Sequence, residues 1–250
     1  MGLSVQQSNN ATAEISAAHY PRIRMTQVAA SWSATSPQAN ARFSIPWSAI
    51  TPKTIASFSG LCYYFGRAMH DALGGGQIPV GLVEQAVGGT YIESFMPVDA
   101  MKVCNTTGAM PPGWKGAPPQ PGKRASYNPW GNQNVPAALW NSMISPLLTL
   151  DIKLAIFDQA EHNMATRESG KFRCLQDQMV GAWRAAWGTN FTFHAVQLPS
   201  INMSEYTWIY IDSLGEMRLS QSDTDADIPS ATTTVTLDLA DLKSPFGSVQ

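Results

Sequence analysis

The chain has 250 residues, of which 44% are apolar and 10% aromatic, enough to bury a sizeable core and too apolar for an intrinsically disordered chain. Charged residues make up only 14%, and the net charge at pH 7 is −2, which excludes the basic footprint of a nucleic-acid binder. Asp151 and Lys153 interrupt the longest apolar-rich segment, Leu147 to Phe157, so nothing approaches the roughly 18 apolar residues that span a bilayer.

The start of the chain has no basic n-region and no apolar h-region, so no secretion leader is read there. Ala13 to Ala18 reads as a short helix, and Ile23 to Val28 alternates apolar and polar residues as a half-buried strand does. Thr51 to Leu73 reads as the clearest helix. Its stripe is Phe58, Leu61, Cys62, Phe65, Ala68, Met69 and Leu73, and Gly74-Gly-Gly76 ends it. The nearly continuous apolar run Pro79 to Val83 reads as a strand covered on both faces.

From Pro97 to Pro136 the pattern collapses into a proline- and glycine-rich insertion, which neither a helix interior nor a central strand tolerates. Ala137 to Leu148 reads as a short helix ended near Pro146, and Lys153 to Phe157 as a buried strand. A second amphipathic helix carries Phe172, Leu175, Met179, Ala182, Trp183, Ala186 and Trp187 on one face. Phe191 to Leu198 and Thr233 to Leu239 read as further strands. Strands alternating with helices imply parallel pairing through right-handed crossovers. The expectation is one α/β domain over residues 1–250, with three α/β/α layers around a mainly parallel sheet.

Chemistry in such a sheet sits beyond the carboxyl ends of the strands. One end runs into Gly88-Gly-Thr90 and another into Gln159-Ala-Glu-His-Asn163. Adjacent glycines let backbone N–H groups face a ligand, and an asparagine adds a carboxamide donor, as an oxyanion hole requires. Cys62, Cys104 and Cys174 form no CxxC pair and the four histidines no HxxxH pair, so no metal or other cofactor is expected. His194, within an apolar strand, reads as a satisfied core histidine. Four sequons for N-linked glycosylation stand at Asn10, Asn105, Asn190 and Asn202.

The segments Phe58-Ser-Gly-Leu-Cys-Tyr-Tyr-Phe-Gly-Arg67, Ile78-Pro-Val-Gly-Leu82 and Gly88-Gly-Thr-Tyr-Ile-Glu93 resemble, in order, blocks of the sialate O-acetylesterases. So do Leu139-Trp-Asn-Ser-Met-Ile-Ser-Pro-Leu147, Gln159-Ala-Glu-His-Asn163 and the stretch from Asp238 to Val249. The resemblance covers nearly the whole chain. It implies an SGNH-type hydrolase fold, one that could lack its first strand, and removal of O-acetyl groups from sialic acids or related sugars. It also implies a serine nucleophile, a histidine base, and oxyanion donors at Gly88 or Gly89 and at Asn163, with Gln159 and Glu161 beside the substrate. A secreted or lysosomal location is implied as well.

The sequence departs from the family at the nucleophile and the base. One alignment makes Ser8 the nucleophile; the other, without gaps, places the nucleophile just upstream of Met1 and leaves Ser8 an ordinary loop serine. Gln250 stands where the family has its histidine, and a carboxamide cannot take the nucleophile's proton. His162 could substitute as base, with Asp241 orienting a base as a matching acidic residue of the family does. Ala160 replaces the glycine of the family's Q-G-E, and Val87 a tryptophan. The readings that follow are, in order, an incomplete esterase, a non-catalytic relative binding glycans in a vestigial cleft, and a rearranged site pairing Ser8 with His162. Acetylated sugar is the expected partner; nucleic acid and membrane insertion are not expected.

Overall fold

The computed structural model describes residues 3–31, 34–105, 135–164, 169–200 and 213–239. The chain sorts into two compact units, Met1–Ala30 with Ala41–Gly88, and Ser31–Asn40 with Gly89–Val249.

The first unit contains α1 (Ala11–Ala17), β1 (Tyr20–Val28), β2 (Phe43–Ile50), α2 (Gly60–Ala72) and β3 (Val80–Glu84). Its sheet runs β2-β1-β3, with β1 antiparallel to β2 and parallel to β3. Along β1, buried Ile23 and Met25 alternate with exposed Arg22 and Arg24, the period-2 pattern read from sequence, but the alternation changes phase after Met25, where Thr26 and Val28 are buried. These two pack with Ile50, Ile55, Phe58, Tyr63 and Leu82 in one core. Strand β2 was not expected: Pro46 sits inside it, and proline is tolerated in a sheet only where no ladder donor is needed, as at an edge. Strand β3 is less enclosed than its composition suggested, since Leu82 and Glu84 are buried but Gly81 is exposed.

Helix α2 starts nine residues later than the stripe suggested. Ser59 sets the boundary: its Oγ accepts from the Cys62 N–H at 3.3 Å, and its own N–H donates to the buried Glu84 carboxylate at 2.9 Å. A capping hydroxyl and a negative charge at this end satisfy the first-turn donors. Ile55 and Phe58 are fully buried without being helical, which is why their spacing looked like an extension of the helix. Ahead of α1, Val5–Gln7 forms a single 3-10 turn, and Ser4 makes only an isolated bridge to Ser59, so this segment adds no strand to either sheet.

The second unit contains α3 (Val98–Val103), β4 (Leu154–Asp158), the short turn α4 (Glu161–Met164), α5 (Ser169–Trp187), β5 (Thr192–Val196), α6 (Ser213–Asp227) and β6 (Ala231–Thr234). Its sheet, β4-β5-β6, is parallel throughout, as alternating strands and helices predict. Phe172, Leu175, Met179 and Trp183 are buried along α5 as the stripe predicts, whereas Ala186 is exposed. Trp183 donates to the Phe95 carbonyl at 2.9 Å, and Phe157 stacks edge-on against both Phe95 and Trp183.

Several boundaries shift. Residues 98–103, read as the start of a loop, make α3, with Met101 fully buried beneath. The short helix expected over 137–148 is present but irregular, a π-helix at Trp140–Ile144 followed by a 3-10 turn at Ser145–Leu147; Pro146 cannot donate to a regular ladder. Strand β6 ends at Thr234, leaving Val235, Leu237 and Leu239 exposed. Cys104 and Cys174 form a disulfide joining the end of α3 to α5, unforeseen across 70 residues of sequence. His194 bonds Thr232 and Thr234 through its two ring nitrogens, satisfied as expected, but it is half-buried and not a core residue. No helix among the described residues is long and apolar enough to cross a membrane.

Candidate functional site

The second unit brings two of the singled-out segments together: Gly89 to Glu93, and Gln159 to Asn163. Gly89 takes φ of 70°, a left-handed conformation that only glycine adopts without cost, and so turns the chain into Thr90. Thr90 is buried, and its carbonyl accepts from Gln159 Nε2. Two residues on, the Ile92 N–H donates to Asn163 Oδ1 at 3.0 Å.

Asn163 is the hub. It has no exposed surface. Its Oδ1 also accepts from Gln159 Nε2 at 2.9 Å, and its Nδ2 donates to Glu93 Oε2 at 3.0 Å. The carboxamide orientation follows from these partners: two N–H donors meet the oxygen and a carboxylate meets the nitrogen. The Gln159 carboxamide is fixed through its nitrogen, which reaches two acceptors, and its backbone carbonyl accepts from Gln221 Nε2 at 3.0 Å. Its Oε1 is buried with no partner among the described residues, a position that costs free energy unless a donor arrives.

Ala160, between these residues, is fully buried and takes φ of 148°. L-residues rarely occupy that region, which costs of order 1–3 kcal/mol. Glycine would sit there freely, and glycine is what the resemblance places at this position.

The titratable groups nearby are perturbed mainly by burial. His162 packs edge-to-face on Tyr91 with centroids 4.6 Å apart, and burial pulls its imidazole down to about 4. It is therefore neutral at pH 7. Burial, with the Glu161 charge second, pushes the Asp158 carboxyl up to about 7.

Of the other predicted site residues, Ser8 and Gly88 belong to the first unit. The Ser8 hydroxyl donates to the Val5 carbonyl at 2.7 Å and lies 2.7 Å from the Tyr64 hydroxyl, the bonding of a serine that closes a turn. Asp241 lies outside the described residues, as do Asn202 and most of the insertion, residues 106–134. Sequence reasoning missed Glu93 as the partner of Asn163 and Gln221 as the support of Gln159; the Glu of Gly88-Gly-Thr-Tyr-Ile-Glu93 was the available signal for the first.

No family model matches the chain. Among curated proteins it is similar to the sialate O-acetylesterase of Pongo abelii, 27% identical over 271 residues, covering all of this chain and 47% of that protein. It is likewise 27% identical to the Mus musculus sialate O-acetylesterase over 288 residues, covering all of this chain and 51% of that protein. The chain thus spans about half the length of the curated relatives it matches. Among solved structures it is similar to a carbohydrate acetylesterase from Xanthomonas citri, with a TM-score of 0.77 and 25% identity over 98% of this chain and 49% of that one.

Proposed function

We propose that this chain, a relative of the sialate O-acetylesterases over its whole length, is part of a carbohydrate esterase that removes O-acetyl groups from sialic acids or related sugars. The observation that carries the proposal is the junction of Gly89–Glu93 with Gln159–Asn163 through Asn163.

Ester hydrolysis develops negative charge on the acyl oxygen, and fixed donors stabilise that charge most when they need no reorganisation. In this reading Gly89 and Asn163 supply the donors, Glu93 holds the Asn163 carboxamide in plane, and Gln159 and Glu161 border the sugar. Neutral His162 and Tyr91 flank them. The nucleophile is a serine; the turn-closing bonds of Ser8 favour the gapless alignment, in which Ser8 is a loop serine. His162, held neutral, has the protonation state of a base but a basicity lowered by burial.

The same bonding of Ser8 also favours a second reading, a glycan-binding relative without turnover. Acetate release from O-acetylated sialic acid by the full-length protein separates the two. Acetate production supports the esterase; saturable sugar binding with no acetate supports the second reading; neither event refutes both.

A further inference from the structure

The sheet of the first unit turns part of one face outward. Arg24 on β1 and Gly81 on β3 are register partners there, and both are exposed. Trp47, on β2, reaches over to them: its Cη2 lies 3.6 Å from the position a Cβ on Gly81 would take. Strand β1 lies between β2 and β3, so the indole spans two strand spacings, roughly 10 Å. A side chain that crosses the sheet in this way lies along it rather than standing up from it. Trp47 nevertheless stays 41% exposed and offers solvent a flat apolar surface whose position the sheet fixes.

The charge on this face is uncompensated. Arg24 has no ion-pair partner among the described residues. Arg22, two residues along and so on the same face, donates one N–H to the Gln77 carbonyl at 3.2 Å. The acidic residues of this unit are engaged elsewhere: Glu14 with Arg67, Asp71 with His70, and Glu84 buried on the Ser59 N–H. Guanidinium groups match carboxylates in charge and in fork geometry, and a flat indole covers the apolar C–H face of a sugar ring. An acidic peptide would answer the charge alone; a sugar acid answers both features.

We propose that Trp47, Arg24 and Arg22 form a surface site for a carboxylate-bearing saccharide. A pyranose ring stacks on Trp47, the Arg24 guanidinium holds the carboxylate, and Arg22 adds positive charge beside it. The binding is non-covalent and requires no acetyl group. All three residues belong to the first unit, so the proposal does not rest on the esterase reading of the junction through Asn163.

The test titrates the full-length protein with sialyllactose and, separately, with lactose, following the Trp47 indole N–H resonance, which is assigned by its loss in Trp47→Phe. The expected result is a saturable shift with sialyllactose, and an affinity for lactose weaker by about tenfold or more, the usual worth of a charged hydrogen bond. Arg24→Gln should weaken sialyllactose by a similar factor, and added salt should weaken it too. Trp47→Ala should abolish binding; Arg24→Gln changes only an exposed side chain and decides the matter if Trp47→Ala does not fold. Equal affinity for lactose, sialyllactose affinity unchanged in Arg24→Gln, or no shift of the Trp47 signal overturns the proposal. So does a glutamate oligopeptide that shifts the Trp47 signal at lower concentration than sialyllactose, which would make this a surface for acidic protein segments.

Discussion

Replacing Asn163 with alanine removes the one side chain that holds Ile92, Gln159 and Glu93 together, and its cost follows from their bonds. Three contacts of 2.9–3.0 Å disappear. Gln159 Nε2 keeps Thr90 as an acceptor, so its loss is small. The Ile92 N–H loses its side-chain acceptor inside the protein, Ile92 itself having no exposed surface; a buried orphan donor costs about 1–3 kcal/mol. Glu93, only 9% exposed, loses a donor to its carboxylate, which is worth about as much or more because the group is charged. The sum, about 2–6 kcal/mol, is a large share of the 5–15 kcal/mol that typically holds a domain together.

Two measurements read this out. Urea unfolding gives the total loss, and native-state hydrogen exchange at the Ile92 amide gives the local part, faster by about 10- to 100-fold at 1.4 kcal/mol per decade. Asn163→Asp keeps an acceptor for Ile92 but sets a second carboxylate against Glu93, so it should destabilise increasingly as pH rises. An Asn163→Ala protein within 1 kcal/mol of wild type, with Ile92 exchange unchanged, would refute the reasoning that this carboxamide is the structural hub.

Other consequences are as direct. Ala160→Gly relieves the backbone at φ 148°; after subtracting the roughly 0.5–1 kcal/mol of chain entropy glycine costs, a net gain of about 1 kcal/mol is expected in thermal denaturation, and a loss would contradict the strain. Reducing the Cys104–Cys174 bond, which closes a loop with a sequence separation of 70, should cost about 4 kcal/mol on the loop-entropy scale, seen as a lower urea midpoint with reductant; no shift would contradict it. A Cβ at Gly66 would lie 2.5 Å from a Leu82 methyl; that crowding costs about 1–3 kcal/mol and alanine inside α2 returns about 1 kcal/mol of helix propensity, so Gly66→Ala should destabilise by up to about 2 kcal/mol, with Leu82→Ala partly compensating in the double variant; simple additivity would show the two are not in contact. Asp158 binds its proton more tightly folded than unfolded, so its contribution is fully present below about pH 4 and lost as pH rises through about 7. Asp158→Asn should remove that decline from a stability–pH profile, and an unchanged profile would refute the assignment.

What the sequence disclosed and what it hid have physical reasons. β1, β3, β4, β5 and α5 were legible because burial is written in them as apolar spacing. α6 was not. Its buried face is Met217, Ser220, Gln221 and Thr224, and it docks through hydrogen bonds: Gln221 to the Gln159 and Val196 carbonyls and the Leu198 N–H, and Thr224 to Gln176. A helix seated by polar side chains leaves no hydrophobic stripe to read. β2 was hidden by Pro46, and the start of α2 by Ile55 and Phe58, which are buried at helix-like spacing without being helical. At the candidate site, Gly89, Gln159 and Asn163 were legible from glycine geometry and donor chemistry, whereas Glu93 could be paired with Asn163 only once the fold had carried two segments 70 residues apart into contact.

In the proposed esterase, the junction through Asn163 serves acyl transfer. Its most direct test compares kcat for acetate release from an O-acetylated sialic acid between the full-length protein and its Asn163→Ala form, per folded molecule at a temperature where circular dichroism shows both folded. Loss of one oxyanion donor predicts a fall of about 100- to 1,000-fold; turnover by folded Asn163→Ala protein at the wild-type rate would contradict the account.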